Sequence, residues 1–599
     1  MIFSEDKKIR TFYFALTLFS LLFFSVRVYT NKEKLFVIDG DGRGYYSYLP
    51  ALFLQNDLSW SKLEEYCPKE RQTFLNDVNN KKLNKYSFGT SLLMLPFFLI
   101  AYFLYIVLGL NGDGNNFLFH FFISTAALFY FLAGIYFSIR SLLLFSKNTN
   151  VVISAVSAVI LGTSILFYTF FECSLSHVYS FCCISGFGFF TIKFLSKNSK
   201  KLLLIAALFL FLILVIRPFN VIVIASFPFL FLHSHQSRVD FYKMKMVGIY
   251  SLFSILIATA CLLLFNYLQC GTLIFKTYTN EGFNFLNPEF FNFLFSARKG
   301  LFFYSPILFM AFTTTIVFAI KKQMKFVFLF LFFIVLFYFL SAWWNWFYGD
   351  SFGQRVVVDY YFFFLFPLAY FFEFVFSSLS KQIIWGVTIL LFGILNLVQT
   401  WQVANGIFPL DGITLEKYNY LFLKTDKKYA GLMGEEAIPS FGKIVEPKLF
   451  FIEENFDLEK NIFNHSLILQ DKTNLNNRIA LVDDNFQFAF TASYKILKQK
   501  IFSRLYITLE FDYFDEIILS AKDLVIVFTI TDSNSKNLYY YPTMLMDWPN
   551  VTSGWHHRKL SNEIKQKIQD GNIFSVYFYN PKGKRILIDN YRILVQGLE

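Results

Sequence analysis

Just past its first apolar stretch the chain reads Val37-Ile38-Asp39-Gly40-Asp41-Gly42-Arg43-Gly44-Tyr45-Tyr46-Ser47-Tyr48-Leu49-Pro50. Two carboxylates two residues apart can offer oxygen to one divalent cation, Mg or Mn. Either can also serve as general base toward an acceptor hydroxyl. The interleaved glycines permit a tight backbone path. Three tyrosines then open an amphipathic stretch, Tyr45–Leu54, of the kind that gathers at a membrane interface. The plain alternative is a polar turn with an aromatic anchor.

Further polar residues stand at the ends of apolar stretches. Glu172 and His177 flank the turn 171–176, Arg217 precedes Pro218, and Arg298 and Lys299 lie in Ser-Ala-Arg-Lys-Gly, 296–300. Residues 343–355, Trp-Trp-Asn-Trp-Phe-Tyr-Gly-Asp-Ser-Phe-Gly-Gln-Arg, contribute Trp344, Asp350 and Arg355. Ionisable groups at membrane depth are costly and mark function. Each also has a bland role: Arg217 and Lys299 can snorkel, His177 can be structural, and the tryptophans can form an interfacial belt. Taken together the set has a chemistry. Arg grips phosphate through paired donors, Tyr and Trp faces stack on sugars, and Asp41 or Asp39 deprotonates a hydroxyl. It fits glycosyl transfer from a lipid phosphate, with Arg43, Tyr45, Glu172, His177, Arg217, Arg298, Lys299, Trp344, Asp350 and Arg355 as substrate or phosphate contacts.

The elements that must position these residues are membrane helices. The 599 residues are 55% hydrophobic and 16% charged, against roughly a quarter charged in soluble domains. One large soluble enzyme and intrinsic disorder are both excluded. Apolar runs predict spans at 11–29, 88–110, 117–137, 151–170, 175–192, 202–216, 219–232, 246–267, 304–320, 326–342, 356–376 and 383–401. The first lacks a small-residue cleavage site and reads as an anchor. Connections 138–150, 193–201, 233–245, 321–325 and 377–382 hold thirteen Lys and Arg against one acid, Asp240. All five are cytoplasmic if 88–110 does not cross but lies along the interface or re-enters. That predicts about eleven spans, with an outer loop 30–116 carrying interfacial helices. The net charge of +12 is then topological and does not point to nucleic acid. The six cysteines show no CxxC pair and read as small core residues.

From 402 onward the chain carries 23 basic and 24 acidic residues. Alternating segments such as 486–490, 505–511, 524–530, 574–579 and 585–594 predict strands. A connector at 402–440 and an all-β sandwich or jelly roll at 441–599 are expected, outside the membrane.

The Asp41/Tyr45 spacing directly after the first span resembles the GT-C class of membrane glycosyltransferases, in the protein O-mannosyltransferase and aminoarabinose transferase group. Tyr86-Ser87-Phe88-Gly89-Thr90-Ser91 with Pro96 is similar to that group's second interfacial segment. The fragments 298–306 (RKGLFFYSP) and 349–355 (GDSFGQR) resemble segments of bacterial members. The resemblance covers about 1–401. It implies a multi-pass enzyme of the bacterial inner membrane that works on the periplasmic face. The donor would be a polyprenyl-phosphate-linked sugar and the acceptor a glycan, lipid or protein hydroxyl. It further implies inversion, Asp41 as base, and Arg298 and Arg355 on the donor phosphate. The Asp-Gly-Asp pattern departs from the group's Asp-Glu and is similar to metal-using oligosaccharide transferases of the class, which leaves metal dependence open. The C-terminal region resembles carbohydrate-binding jelly rolls, with Trp548, Trp555, His556 and Tyr539–Tyr541 as a sugar platform. Oligosaccharide transfer from lipid pyrophosphate to protein, a lipid or sugar flippase-transporter, and a non-catalytic sugar-binding protein are the competing readings.

Overall fold

The computed structural model describes residues 6–30, 37–61, 74–110, 114–233, 240–278, 281–410, 412–430, 444–454, 467–470, 478–485, 487–497, 504–515, 525–533, 535, 537–544, 554–564, 570–581 and 583–598. Cys67 and Trp548 lie outside them. The chain divides into two compact units, one covering most of 1–400 and one most of 401–599. It is a polytopic helical membrane protein with a C-terminal β domain.

Among the described residues eight helices are long and apolar enough to cross a membrane: Lys7–Thr30, Gly89–Val107, Phe117–Leu143, His177–Lys197, Phe241–Cys270, Met324–Ser341, Arg355–Val375 and Leu379–Ala404. Shorter apolar helices cover Thr149–Gly162, Pro218–His233 and Pro306–Ile320. Local chemistry sets their ends. Asn116 caps the third long helix through the Leu118 amide at 3.0 Å, and Asp240 caps the fifth through the Lys243 amide at 3.1 Å. Gly271, at φ +73°, ends that helix in the left-handed region.

Two helices start irregularly. Arg217 is extended (φ −147°, ψ 102°), as the residue before a proline tends to be. The chain then winds as a 3-10 turn over Pro218–Ser226 before Phe227–His233. A second 3-10 turn, Arg355–Tyr360, leads into Tyr361–Val375. Irregular backbone at membrane depth persists where it is buried in protein or lines a polar site.

The Gly89–Val107 helix runs antiparallel to the start of Phe117–Leu143, with Phe97 on Phe129 (5.6 Å) and Phe98 on Phe119 (5.1 Å). Its first turn, and the chain beyond its far end, are tied to the residues around Tyr45 and Tyr46. The Ser91 hydroxyl donates to the Tyr45 carbonyl, and the Tyr46 hydroxyl donates to the Gly114 carbonyl at 2.6 Å. Ahead of this helix the chain forms a hairpin absent from the sequence reading, β1 (Leu75–Val78) and β2 (Lys81–Asn84). Its two-residue turn holds Asn79 and Asn80 at φ 49° and 63°, the left-handed pair that a tight hairpin requires.

Among the described residues the C-terminal unit has ten strands: β3 (Ile444–Glu454), β4 (Leu467–Gln470), β5 (Arg478–Val482), β6 (Phe488–Lys495), β7 (Arg504–Asp515), β8 (Val525–Thr531), β9 (Asn537–Met544), β10 (Gly554–Ile564), β11 (Ile573–Tyr579) and β12 (Ile586–Leu598). One sheet runs β10-β7-β12-β5-β4 with β3 also paired to β12, and the other runs β6-β11-β8-β9. Inward residues alternate with outward ones along β11 and β12. The two inner faces meet through Phe511 on Phe578 (5.1 Å) and Phe490 on Tyr591 (5.9 Å), which makes a sandwich. Of the expected sugar platform, Trp548 lies outside the described residues. Exposed Trp555 belongs to the larger sheet and exposed Tyr540 to the smaller, while the His556 ring packs on Tyr513, 5.5 Å away.

Candidate active site

The Asp-Gly-Asp segment folds as one short helix, Gly40–Tyr46. Val37 and Ile38 bring it in, both amides donating to His120 Nδ1 at 3.1 and 3.2 Å. Its glycines answer to packing. A Cβ on Gly42 would overlap the Ser174 side chain, and one on Gly44 would overlap the Tyr86 ring. The helix therefore lies flush against both residues. Asn84 Nδ2 donates to the Gly44 carbonyl at 2.8 Å, so the hairpin strand β2 fixes the same turn from the other side.

Asp41 emerges from this helix onto two donors. Tyr86 gives its hydroxyl to Oδ1 at 2.5 Å, and Arg355 gives a guanidinium N–H to Oδ2 at 2.7 Å. The carboxylate keeps 33% of its exposure. Burial, the largest influence, raises its pKa. The charges of Arg355 and Lys85, with the hydrogen bonds from Tyr86 and Arg355, outweigh it and pull the value down to about 2. Tyr86 shows the converse. Burial and the adjacent Asp41 charge push its phenol well above the ordinary tyrosine value, so it stays a donor. Lys85 Nζ lies 5.2 Å from the Tyr86 ring and 5.8 Å from that of Tyr278.

A second carboxylate, Asp359, is fully buried in the 3-10 turn that Arg355 opens. Its Oδ1 lies 2.8 Å from His177 Nδ1. Its Oδ2 accepts from Asn220 Nδ2 at 2.8 Å and lies 3.5 Å from Arg217. Tyr360 donates to Asn220 Oδ1 at 2.9 Å. The His177 tautomer with hydrogen on Nδ1 satisfies Asp359, so the 3.2 Å approach of Arg217 to the same nitrogen is proximity and not a second bond. Asp359 thus ties the first turn of one helix, through His177, to the broken start of another, through Arg217 and Asn220.

Tyr45 joins the two groups. Its ring lies 4.7 Å from that of Tyr86. Burial, the leading cause, raises its pKa, while its hydroxyl also feels Arg217, Asp41 and Arg355. Of the residues singled out in the sequence, Asp41, Tyr45, His177, Arg217 and Arg355 are therefore brought together. Asp39 and Arg43 instead pair with each other at 2.6 Å on an exposed face. Arg298 stacks on Phe347, 3.6 Å from the ring centre. Lys299 and Trp344 are buried, Glu172 acts electrostatically on Tyr168, and Asp350 is exposed. The contacts described above do not place these four on the carboxylates.

Sequence reasoning missed Asp359, Asn220, Tyr86 and Lys85 as site residues. Asp359 carried a usable signal, being with Glu373 one of two acids inside an otherwise apolar predicted span.

The cation reading of Asp39 and Asp41 fits poorly. The two carboxylates are held by different arginines, Arg43 and Arg355. Among the described residues no three His, Cys, Asp or Glu side chains gather. As it stands the motif is a pair of ion pairs.

No protein-family model and no curated protein matches the chain. Several solved structures resemble parts of it, among them the following three. The arabinosyltransferase EmbB from Mycobacterium smegmatis is 11% identical over 80% of this chain and 58% of its own, with a TM-score of 0.30. The CBM22-1 xylan-binding domain of Paenibacillus barcinonensis Xyn10C is 10% identical over 27% of this chain and 99% of its own, at 0.16. The arabinose-bound α-L-arabinofuranosidase MgGH51 is 11% identical over 27% of this chain and 26% of its own, at 0.17. At these scores none of the three carries an argument about fold or chemistry.

Proposed function

We propose that the chain is a membrane glycosyltransferase of the GT-C class. It takes a sugar from a polyprenyl-phosphate donor to a hydroxyl of a glycan, lipid or protein, with Asp41 as general base. The observation that carries this reading is the partly exposed Asp41 carboxylate held against Arg355, with a second cation, Arg217, on a buried support. A transferase using a lipid phosphate needs one base and cations for the leaving group, close together beside apolar surface.

The reaction balances on these groups. The acceptor oxygen bonds to the anomeric carbon as its proton passes to Asp41. The bond from that carbon to the donor phosphate breaks, and its electron pair goes to the phosphate oxygen. Attack opposite the leaving phosphate inverts the carbon. Arg355 and Arg217 offset the phosphate charge, a stabilisation that grows as the bond breaks.

The resting pKa of about 2 makes Asp41 a poor base until something changes. Donor phosphate competes for the Arg355 guanidinium. Engaging it removes the main charge that depresses Asp41, so the base is released only with donor in place. Tyr86 keeps the freed carboxylate oriented.

In this reading the five basic connections are cytoplasmic, the site faces the periplasm, and the Gly89–Val107 helix stays in the outer leaflet. Ser91, in its first turn, donates to the Tyr45 carbonyl, which holds that end at the acidic motif. The test is Asp41→Asn in purified protein supplied with lipid-linked sugars. Loss of transfer with an unchanged melting profile is expected, and full activity in that variant overturns the assignment.

A further inference from the structure

The helical unit holds a group of cations that the chemistry above does not use. Arg140 stands in the last turn of Phe117–Leu143, and Lys193 and Lys197 in the last two turns of His177–Lys197. Lys193 is about 24 Å along its helix from His177, at 1.5 Å per residue, so the group lies far from the Asp359 carboxylate. Lys193 feels the charges of both Lys197 and Arg140. Among the described residues no carboxylate forms an ion pair with any of the three, and segments 138–150 and 193–201 contain no acid. Cations near a helix end can serve its dipole. Here Lys243 already does so, its Nζ donating to the Leu195 carbonyl at 2.6 Å and lying 3.6 Å from Asp240. A cytoplasmic excess of Lys and Arg needs no ligand by itself. Arg140 and Lys193 go beyond that excess, because both are half-buried and stand over a shared apolar floor.

That floor is a triangle of rings from three helices. Phe137 of Phe117–Leu143, Phe190 of His177–Lys197 and Phe209 of Lys200–Ile216 have ring centres 5.8, 5.7 and 5.4 Å apart. All three rings are half-buried. Phe209 is seated on Gly186, where a Cβ would overlap its ring. Arg140 follows Phe137, and Lys193 follows Phe190, by three residues, which sets each cation about one turn nearer the helix end than its ring. Lys193 Nζ also lies 5.1 Å from the Phe189 ring. Leu204 and Leu208, on the helix that supplies Phe209, are each 56% exposed. The crevice is therefore basic at the helix ends and apolar below them, beside surface that only lipid covers well.

We propose that this crevice binds an anionic phospholipid of the leaflet opposite the active site. Its phosphate is held by Arg140 and Lys193, with Lys197 beside them, and an acyl chain lies along Phe137, Phe190 and Phe209. In the topology of the proposed function these helix ends face the cytoplasm, where basic pockets between membrane helices take such headgroups. Charge decides the occupant. Gathered cations without a counterion repel one another, and an anion removes that repulsion. A zwitterionic headgroup brings its own ammonium, which the same cations oppose. A free phosphate meets the cations and gains nothing from the rings. The site does not depend on the transferase reading, because no residue of the carboxylate groups takes part.

The test counts lipids bound to the full-length protein by native mass spectrometry, with phosphatidylglycerol, phosphatidylethanolamine and inorganic phosphate as probes. Wild type is expected to retain phosphatidylglycerol in preference to the other two. Removing both half-buried cations, in Arg140→Gln with Lys193→Gln, is expected to weaken phosphatidylglycerol about 30-fold and to leave phosphatidylethanolamine unchanged. Lys197→Gln alters an exposed side chain, so folding is retained, and about 5-fold weakening is expected. Lys321→Gln with Lys322→Gln removes the same charge from another basic connection, also at exposed side chains, and is expected to change nothing. Equal weakening in the two double variants overturns the proposal, since net charge alone would then explain retention. So does wild-type affinity in Lys197→Gln and in the Arg140/Lys193 double variant. Phosphatidylethanolamine held as tightly as phosphatidylglycerol overturns it as well, as does inorganic phosphate competing at the lipid's own concentration.

Discussion

Arg355 and Asp41 meet at 2.7 Å across 314 residues of chain. One begins a 3-10 turn ahead of an apolar helix, and the other lies in the short helix after the first span. The pairing joins the two halves of the helical unit. In the proposed mechanism it supplies base and cation at one place, and the base acts once the cation is drawn away.

The first prediction concerns that cation. Arg355→Lys keeps the charge and loses the fork that can serve carboxylate and phosphate in turn. Transfer is expected to fall on the order of 100-fold in kcat, with expression and melting profile retained. Steady-state kinetics on lipid-linked donor decide it, and near wild-type kcat in the Lys variant removes the proposed hand-over.

The pH dependence of stability follows from the same pair. Asp41 is lowered to about 2 in the folded protein, against about 3.9 unfolded. A depressed carboxylate adds stability that is fully present above the unfolded value and is lost as pH falls through the folded one. The melting difference between wild type and Arg355→Gln is therefore expected to be constant from pH 7 to about 4 and to close between about 4 and 2. A difference that is flat through this window contradicts the ion pair.

The Asp359 support makes a separable prediction. Leaving Arg217 and His177 without their buried carboxylate, as in Asp359→Leu, should cost about 3 kcal/mol or more and lower the yield of folded protein. Asp359→Asn keeps the shape and one acceptor. It should fold while binding phosphate more weakly, raising KM more than it lowers kcat. A rise in KM separates positioning of Arg217 from a purely structural role, which would change the melting profile and leave KM alone.

How far the sequence spoke depends on which physical signal each feature leaves. Membrane helices announce themselves by sustained hydropathy, and the expected run at 246–267 lies within Phe241–Cys270. Sandwich strands announce themselves by alternation, as 574–579 does within β11. The 3-10 starts at Pro218 and Arg355 leave no such trace, because an apolar run reads the same in either winding. Asp41 and Arg355 were visible as residues in polar loops, but their contact was not, since spacing along a chain says nothing about 314-residue separations. Asp359 stayed hidden because its neighbours, Val356–Val358 and Tyr360–Phe364, read as span. The hairpin β1–β2 was missed because Asn79 and Asn80 stand between polar strands with little alternation.

The glycines of the acidic motif give a steric prediction. Gly42→Ala puts a methyl into Ser174, whose hydroxyl holds the Val37 carbonyl at 2.6 Å. The Gly40–Tyr46 helix must then move outward, at a cost of about 1–3 kcal/mol, and Asp41 moves with it. Loss of transfer together with a lowered melting temperature is expected. Gly386→Ala meets open space and serves as the control that changes neither.

The last prediction separates one-sugar transfer from oligosaccharide transfer. A divalent cation shared by Asp39 and Asp41 would have to displace Arg43 and Arg355, each within 2.7 Å of its carboxylate. Transfer is therefore expected to survive exhaustive chelation, with a monophosphate lipid as product. Loss of activity in chelator, restored by Mg or Mn and accompanied by a pyrophosphate product, would instead mean that the Asp-Gly-Asp motif binds metal. The protein would then move a preassembled glycan, and the two arginines would have to leave the carboxylates before the first turnover.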